Sequence, residues 1–306
     1  MGANSEESSK QSSPREVFVR GVLMGLAELV PGVSGGTIAF ISGIYHRLVS
    51  ALSSFGPQSL KLVMQPRQFW RHHQLDFLLA IVVGMVAGIL VFARLIGFMM
   101  EAAEPVLWAF FFGVIAVSVL QIGAARPPRH LAPCGALGVL AGLLFLSLPG
   151  ADMSGSMFAL FIAGMVAVSA WILPGISGSF VLLLLGLYDD VILAVNQLNW
   201  TFLLVLAGGC GSGLLLFTRA LGWLLMRFEN ALLAFLTGVM ATALIKLWPW
   251  QIVASQSASD AYGVFHTLQS PQQYAAAGNE AYLGLSLMAA LLGGAGIWLL
   301  SKLSPQ

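Results

Sequence analysis

The sequence predicts an all-α polytopic membrane protein built on an inverted-topology internal repeat, with about six transmembrane helices and two re-entrant helical hairpins. Three observations carry that expectation. Of the 306 residues 58% are hydrophobic and only 9% charged, with mean hydropathy +0.87. A soluble domain is about 25% charged, so lipid rather than water must solvate most of this surface. Hydrophobic runs also recur at the length of about 20 residues that spans a bilayer core. Finally, one short phrase occurs twice, PGVSGGTIAFISGIY at 31–45 and PGISGSFVLLLLGLY at 174–188, each time inside apolar sequence.

Taken in order, residues 1–15 (MGANSEESSKQSSPR) are polar and Ser-rich and lack the apolar stretch of a signal peptide. They are expected to form a disordered cytoplasmic tail. The zones 17–53 and 157–195 are apolar but broken near the middle by the repeated phrase. Each arm has about 14 to 16 residues, too short to span comfortably alone. Such a zone is either one broken crossing or a hairpin that dips in and returns. Cations arbitrate. Lys10, Arg15 and Arg20 lie on the N-terminal flank of the first break, and Arg47, Lys61, Arg67 and Arg71 follow it. A hairpin keeps both flanks cytoplasmic, whereas a crossing would export the second group. Full crossings are expected at 77–100, 105–122, 131–148, 202–225, 231–247 and 282–300, which returns both termini to the cytoplasm. The 248–281 segment carries no motif and is expected to cap the outer side or lie at the interface.

The repeat extends past the phrase. Pro31 and Pro174 stand 143 positions apart, and Gly43 meets Gly186 and Tyr45 meets Tyr188 at the same spacing. Beyond the basic loop the spacing becomes 125. There Gly84 meets Gly209, Gly88 meets Gly213, Arg94 meets Arg219, Glu104 meets Glu229 and Gly113 meets Gly238. The chain thus divides into repeat 1 (16–150) and repeat 2 (151–306), each with a hairpin and three crossings. Three is odd, so the second copy sits upside down relative to the first.

A Pro–Gly break inside a bilayer leaves backbone groups that cost several kcal/mol each unless they are buried in protein or line a polar cavity. Free N–H groups, hydroxyls and a positive helix end suit an anion, phosphate above all. Ser34, Gly35, Gly36 and Thr37 in one tip, and Ser177, Gly178 and Ser179 in the other, form the candidate phosphate-binding set. A tight turn that only lets short helices pack is the plainer alternative. Arg94 and Arg219 stand in otherwise apolar helices and join the set as bidentate phosphate binders; snorkelling to the interface is their alternative. Glu28, three residues before the first break, is a candidate for proton or ion coupling, and Trp171 occupies its place in the second copy. Gly84 with Gly88 and Gly209 with Gly213 are packing faces. The histidines show no metal-ligand spacing, and Cys134 and Cys210 sit in apolar runs, so no metal, disulfide or cofactor is expected. A net charge of +1 gives no basis for nucleic-acid binding.

GLAELVPGVSGGTIAFISGIY, with LPGISGSFVLLLLGLYDDVI as its second half, resembles the bacterial membrane family long called domain-of-unknown-function 368, whose members are regarded as undecaprenyl phosphate translocases. The resemblance covers nearly the whole chain after about residue 15. It implies a flippase of the bacterial cytoplasmic membrane that returns undecaprenyl phosphate from the outer to the inner leaflet for reuse in peptidoglycan and other envelope polymers. GLAELVP followed by a PG-x-S turn is also similar to undecaprenyl diphosphate phosphatases. That family uses a Glu pair four apart and a PG-x-SRS turn. Here Met24 stands four before Glu28, and Gly35 and Gly178 follow the turn serines. The cradle is kept and the catalytic parts are absent, so a transporter is expected rather than an enzyme. A polyprenyl diphosphate phosphatase or a transporter of a small soluble ion are the alternatives.

Overall fold

The computed structural model describes residues 13–30, 33–56, 59–125, 127–148, 155–253 and 266–303. The expected disordered tail falls almost wholly outside them, as do Pro31, Gly32 and the centre of the 248–281 segment. α1 (Pro14–Glu28) opens on Ser13, whose hydroxyl accepts the Glu16 N–H, with Pro at the first position, where its missing donor does no harm. After the first break come α2 (Gly35–Ile41), α3 (Tyr45–Ser53), α4 (Ser59–Leu62) and α5 (Pro66–His72). The long helices α6 (Leu75–Ala102) and α7 (Glu104–Ala124) follow, then α8 (Pro128–Leu146) and α9 (Met157–Ile172). The second break leads to α10 (Gly178–Leu184) and α11 (Tyr188–Asn196), and then α12 (Trp200–Lys246). The strands β1 (Gln251–Val253) and β2 (His266–Leu268) pair antiparallel ahead of α13 (Pro271–Ala276) and α14 (Leu283–Leu303).

Among the described residues α6, α7 and α12 are long and apolar enough to cross a membrane, and Leu131–Leu146, Met157–Ile172 and Leu283–Leu299 are shorter apolar helices. The outward face of α6 exposes Leu79, Val82, Val83, Val86, Leu90 and Val91. That band is far larger than a soluble protein tolerates and suits hydrocarbon. A straight helix of the length of α12 would reach roughly 70 Å, more than twice a bilayer core of roughly 30 Å. Its helical geometry breaks at Phe228 (φ −136°, ψ 39°), much as Ala103 (φ −156°, ψ 51°) separates α6 from α7. The break parts the two crossings expected at 202–225 and 231–247.

From Gly35 and Gly178 onward the repeated phrase takes the same helices twice. α2 and α10, and likewise α3 and α11, begin and end at positions 143 apart, and Leu75 and Trp200 open their helices 125 apart. One expectation needs correction. The second arm of each zone is not one helix of about 14 to 16 residues but two short ones; the α10–α11 pair is bent by 107°. The cause is a glycine stop. Gly43 (φ +75°) and Gly186 (φ +69°) sit in the left-handed region just past α2 and α10. Ile44 N donates to Ala39 O and Gly43 N to Phe40 O, and likewise Leu187 N to Leu182 O and Gly186 N to Leu183 O, the paired bonds of a Schellman motif at each end. A second correction is the β1–β2 ribbon, a departure from the all-helical expectation. It lies in the 248–281 segment, where Trp248 Nε1 donates to Gln269 O and Trp250 Nε1 to Ala281 O, each at 2.8 Å.

Glycines set the packing. Gly21 and Gly25 lie against the α6 backbone at Ile81 and Met85, and Gly84 and Gly88 lie against Phe18 and Val22. In the same way Gly209 and Gly213 lie against Phe161 and Met165 of α9. Contacts that climb together in both helices mean that α1 runs parallel to α6, and α9 to the first half of α12. The remaining helices exchange partners: α14 packs on α7 through Gly113 and Gly293, and α8 on the second half of α12 through Gly138 and Gly238. α3 ties the start of α6 to the 219–229 region of α12. Arg47 donates to Gln74 (2.9 Å) and covers the Phe77 ring, while Arg219 donates to Phe55 O (2.7 Å) and His46 meets Glu229 (3.3 Å).

Candidate functional site

The two broken tips meet. Glu28 closes α1, and its Oε1 accepts from Gly35 N at 2.5 Å and from Trp171 Nε1 at 2.7 Å. Ser34 caps α2 by accepting from Gly36 N (3.1 Å), and its hydroxyl donates to Trp171 O (2.7 Å). Thr37 N donates to Ser34 O, and Thr37 Oγ1 accepts from Gly175 N at 2.9 Å, a bond from one tip to the other. Ser34, Gly35, Gly36 and Thr37 are all buried. Gly36 is a glycine from necessity: a Cβ there would stand 2.5 Å from Trp171 O and 2.6 Å from Ile172 O.

The N–H groups of Gly35, Gly36 and Thr37 therefore all have acceptors inside the chain. A carboxylate already occupies the positive end of α2, as an external anion would. The second tip is built differently. Gly175 (φ +87°) turns the chain against Met240, and Ser177 Oγ and Ser179 Oγ share a hydrogen bond of 2.7 Å. Ser177 is buried and Ser179 exposed. Trp171 stands where Glu28 stands in the first copy, so no carboxylate caps α10. Among the described residues the N–H groups of Gly178 and Ser179 meet no acceptor. Among the described residues the donors of the first tip are taken, and the second keeps two free.

Arg94 and Arg219 are exposed on α6 and α12. Among the described residues neither guanidinium hydrogen-bonds to a tip; Arg219 holds the Phe55 carbonyl beyond α3. Glu104 accepts from Trp108 Nε1 on its own helix at 2.9 Å. Sequence reasoning missed Lys246. It sits near the end of α12 with its Nζ over the Phe180 ring, one residue from Ser179. A lone cation inside the run TALIKLW was the available signal. Sequence reasoning also missed that Trp171 touches Glu28, since it marked Trp171 only as the residue that replaces the carboxylate.

The profile of a family described as undecaprenyl phosphate translocase-like matches residues 24–263. The chain is 38% identical over 240 residues to a Vibrio cholerae protein named polyprenyl-phosphate transporter, covering 76% of this chain and 77% of that one. It is 29% identical over 253 residues to a Staphylococcus aureus protein of the same name, covering 76% and 85%. No solved structure matches.

Proposed function

The chain belongs to the undecaprenyl phosphate translocase-like family, and from that premise we propose that it carries undecaprenyl phosphate across the bacterial cytoplasmic membrane. The direction is outer to inner leaflet, which returns the carrier lipid for cell-envelope polymer synthesis. Both termini face the cytoplasm. The observation that carries this reading is the junction of two broken tips, one capped internally by Glu28 and one with free donors. Such backbone is stable at membrane depth only where it is buried or serves a polar ligand.

The two copies are related by inversion in this reading. In support, α3 touches both the first turn of α6 and the last turns of the first half of α12, so these equivalent helices leave α3 in opposite directions. Equivalent positions, Glu28 and Trp171, also touch each other, as residues beside a pseudo-twofold axis do.

In the observed arrangement the phosphate meets the second tip at Ser177, Gly178 and Ser179. Ser34, Gly35, Gly36 and Thr37 become available when Glu28 withdraws. Protonation of Glu28 weakens its charge-assisted hold on Gly35 N–H, and that couples protons to the exchange. Arg94 and Arg219 guide the head group near opposite leaflets while the polyprenyl tail stays in lipid. Hydrolysis is disfavoured: Glu28 is engaged by two N–H donors, and neither turn carries an arginine.

Purified protein reconstituted with undecaprenyl phosphate in liposomes tests this. Wild type is expected to speed the disappearance of accessible outer head groups, and Ser34→Ala/Ser177→Ala to lose the acceleration. No acceleration over empty liposomes, with or without a proton gradient, would refute transport. Phosphate release from undecaprenyl diphosphate would favour the phosphatase, and uptake of a soluble anion would favour an ion transporter.

A further inference from the structure

Lys246 is a half-buried cation near the end of the apolar helix α12. Its ammonium lies over the face of Phe180, the third residue of α10, and Phe145 of α8 holds that ring in an edge contact (5.9 Å between centroids). A lysine that merely snorkels extends its head into water. Lys246 turns inward onto α10 instead, although Trp248 and Trp250 mark the polar 248–281 segment only two and four residues on. Among the described residues no carboxylate lies within ion-pair distance of it. An aromatic face restores only part of the hydration that an ammonium loses, and a desolvated charge without a partner favours an incoming counter-ion.

The repeat sharpens the point. The position equivalent to Lys246 at spacing 125 is Gln121, and the position equivalent to Glu28 at spacing 143 is Trp171. Copy 1 thus has a carboxylate at its tip and a neutral amide at the equivalent position of α7. Copy 2 has an indole at its tip and an ammonium on α12. The charges are distributed so that one tip supplies its own anion and the other lacks one.

We propose that Lys246 binds the phosphomonoester head group at the mouth of the second tip, beside the Ser179 hydroxyl. The inference rests on the transport reading above and assigns its anion site to one copy. A phosphomonoester carries about −1.5 to −2 charges near neutral pH. A lysine offers three donors on a flexible stem, and so can follow the head group as it passes Phe180 toward Ser179.

The test uses full-length protein in detergent, farnesyl phosphate as a short-chain polyprenyl phosphate, and titration calorimetry. K246Q is expected to weaken binding by about tenfold to a hundredfold, as loss of a charge-assisted contact does, and K246R to recover most of it. Displacement by millimolar inorganic phosphate would identify a site for free phosphate; resistance to displacement identifies the lipid ester as the ligand. If K246Q is not monodisperse, acylation of Lys246 in wild type is followed by mass spectrometry, and farnesyl phosphate is expected to slow it. Wild-type affinity in a well-folded K246Q, or labelling of Lys246 unchanged by the ligand, overturns the assignment. Liposome transport by wild type separates the two failures: transport that persists in K246Q sinks Lys246 alone, and no transport by wild type sinks the reading beneath it.

Discussion

Glu28→Leu is expected to abolish transport and to lower the melting temperature of the purified protein. The carboxylate accepts from Gly35 N and Trp171 Nε1. Leucine fills similar space but leaves both donors without a partner at a junction where the tip residues are buried. Each stranded donor costs about 1–3 kcal/mol, and more where the lost acceptor was charged. The sum of about 2–6 kcal/mol is a large share of any protein's stability. Glu28→Gln separates the two roles of the side chain. Its amide oxygen still accepts from the same donors, so the fold is expected to survive with a loss of about 1 kcal/mol. What it cannot do is exchange a proton. If Glu28 couples transport to protons, the glutamine variant moves lipid at one rate with or without a proton gradient, while wild type responds to the gradient. A gradient response that survives Glu28→Gln would remove coupling from this residue.

Most of the architecture is legible in the sequence because its causes are local. Hydrophobic length marks α6, α7 and the two halves of α12, and the repeated phrase marks both breaks. The cations around the first zone argue for a hairpin. The glycine stops were also in plain sight, since Gly43 and Gly186 match at spacing 143. As helix ends they are hard to read, because a run that is apolar all round carries no 3.6-residue pattern to show where one helix ceases.

The site is less legible, for a different reason. Sequence supplies donors and acceptors but not their pairing. Ser34 and Gly35 look free in PGVSGG. In the fold Ser34 is engaged by Trp171 O and Gly36 N, and Gly35 by Glu28. Two of those partners come from Trp171 and Glu28, residues 143 apart that only tertiary packing unites. Lys246 is the same kind of case. The ring it covers, Phe180, lies on α10 and is held by Phe145 of α8, so nothing beside it in the chain reveals what it faces. Arg94 and Arg219 show the converse: their matched spacing is plain in the sequence, but only the fold shows that their side chains are exposed and that one of them holds a loop carbonyl.

Gly36→Ala is expected to drive the two tips apart with a single methyl. The added carbon would sit 2.5 Å from Trp171 O and 2.6 Å from Ile172 O. Both are backbone atoms at the end of α9, so neither can yield as a flexible side chain would. Relief requires the two tips to part, which breaks the Ser34–Trp171 bond and the Gly175–Thr37 bond together. Overpacking costs about 1–3 kcal/mol, and each stranded group adds about 1–3 kcal/mol, so unfolding should begin many degrees lower and transport should fail. Two other glycines calibrate the result. At Gly97 an added Cβ meets nothing within 4 Å, so helix propensity governs, and alanine should be neutral or stabilising by up to about 1 kcal/mol. At Gly43 space is equally open, but φ is +75°, and alanine should cost about 1–2 kcal/mol through backbone strain alone. Thermal unfolding of the three variants ranks them: Gly97→Ala at or above wild type, Gly43→Ala below it, Gly36→Ala lowest. A Gly36→Ala protein as stable and as active as the Gly97 variant would mean that the tips do not meet backbone to backbone, and the junction on which transport depends here would have to be drawn elsewhere.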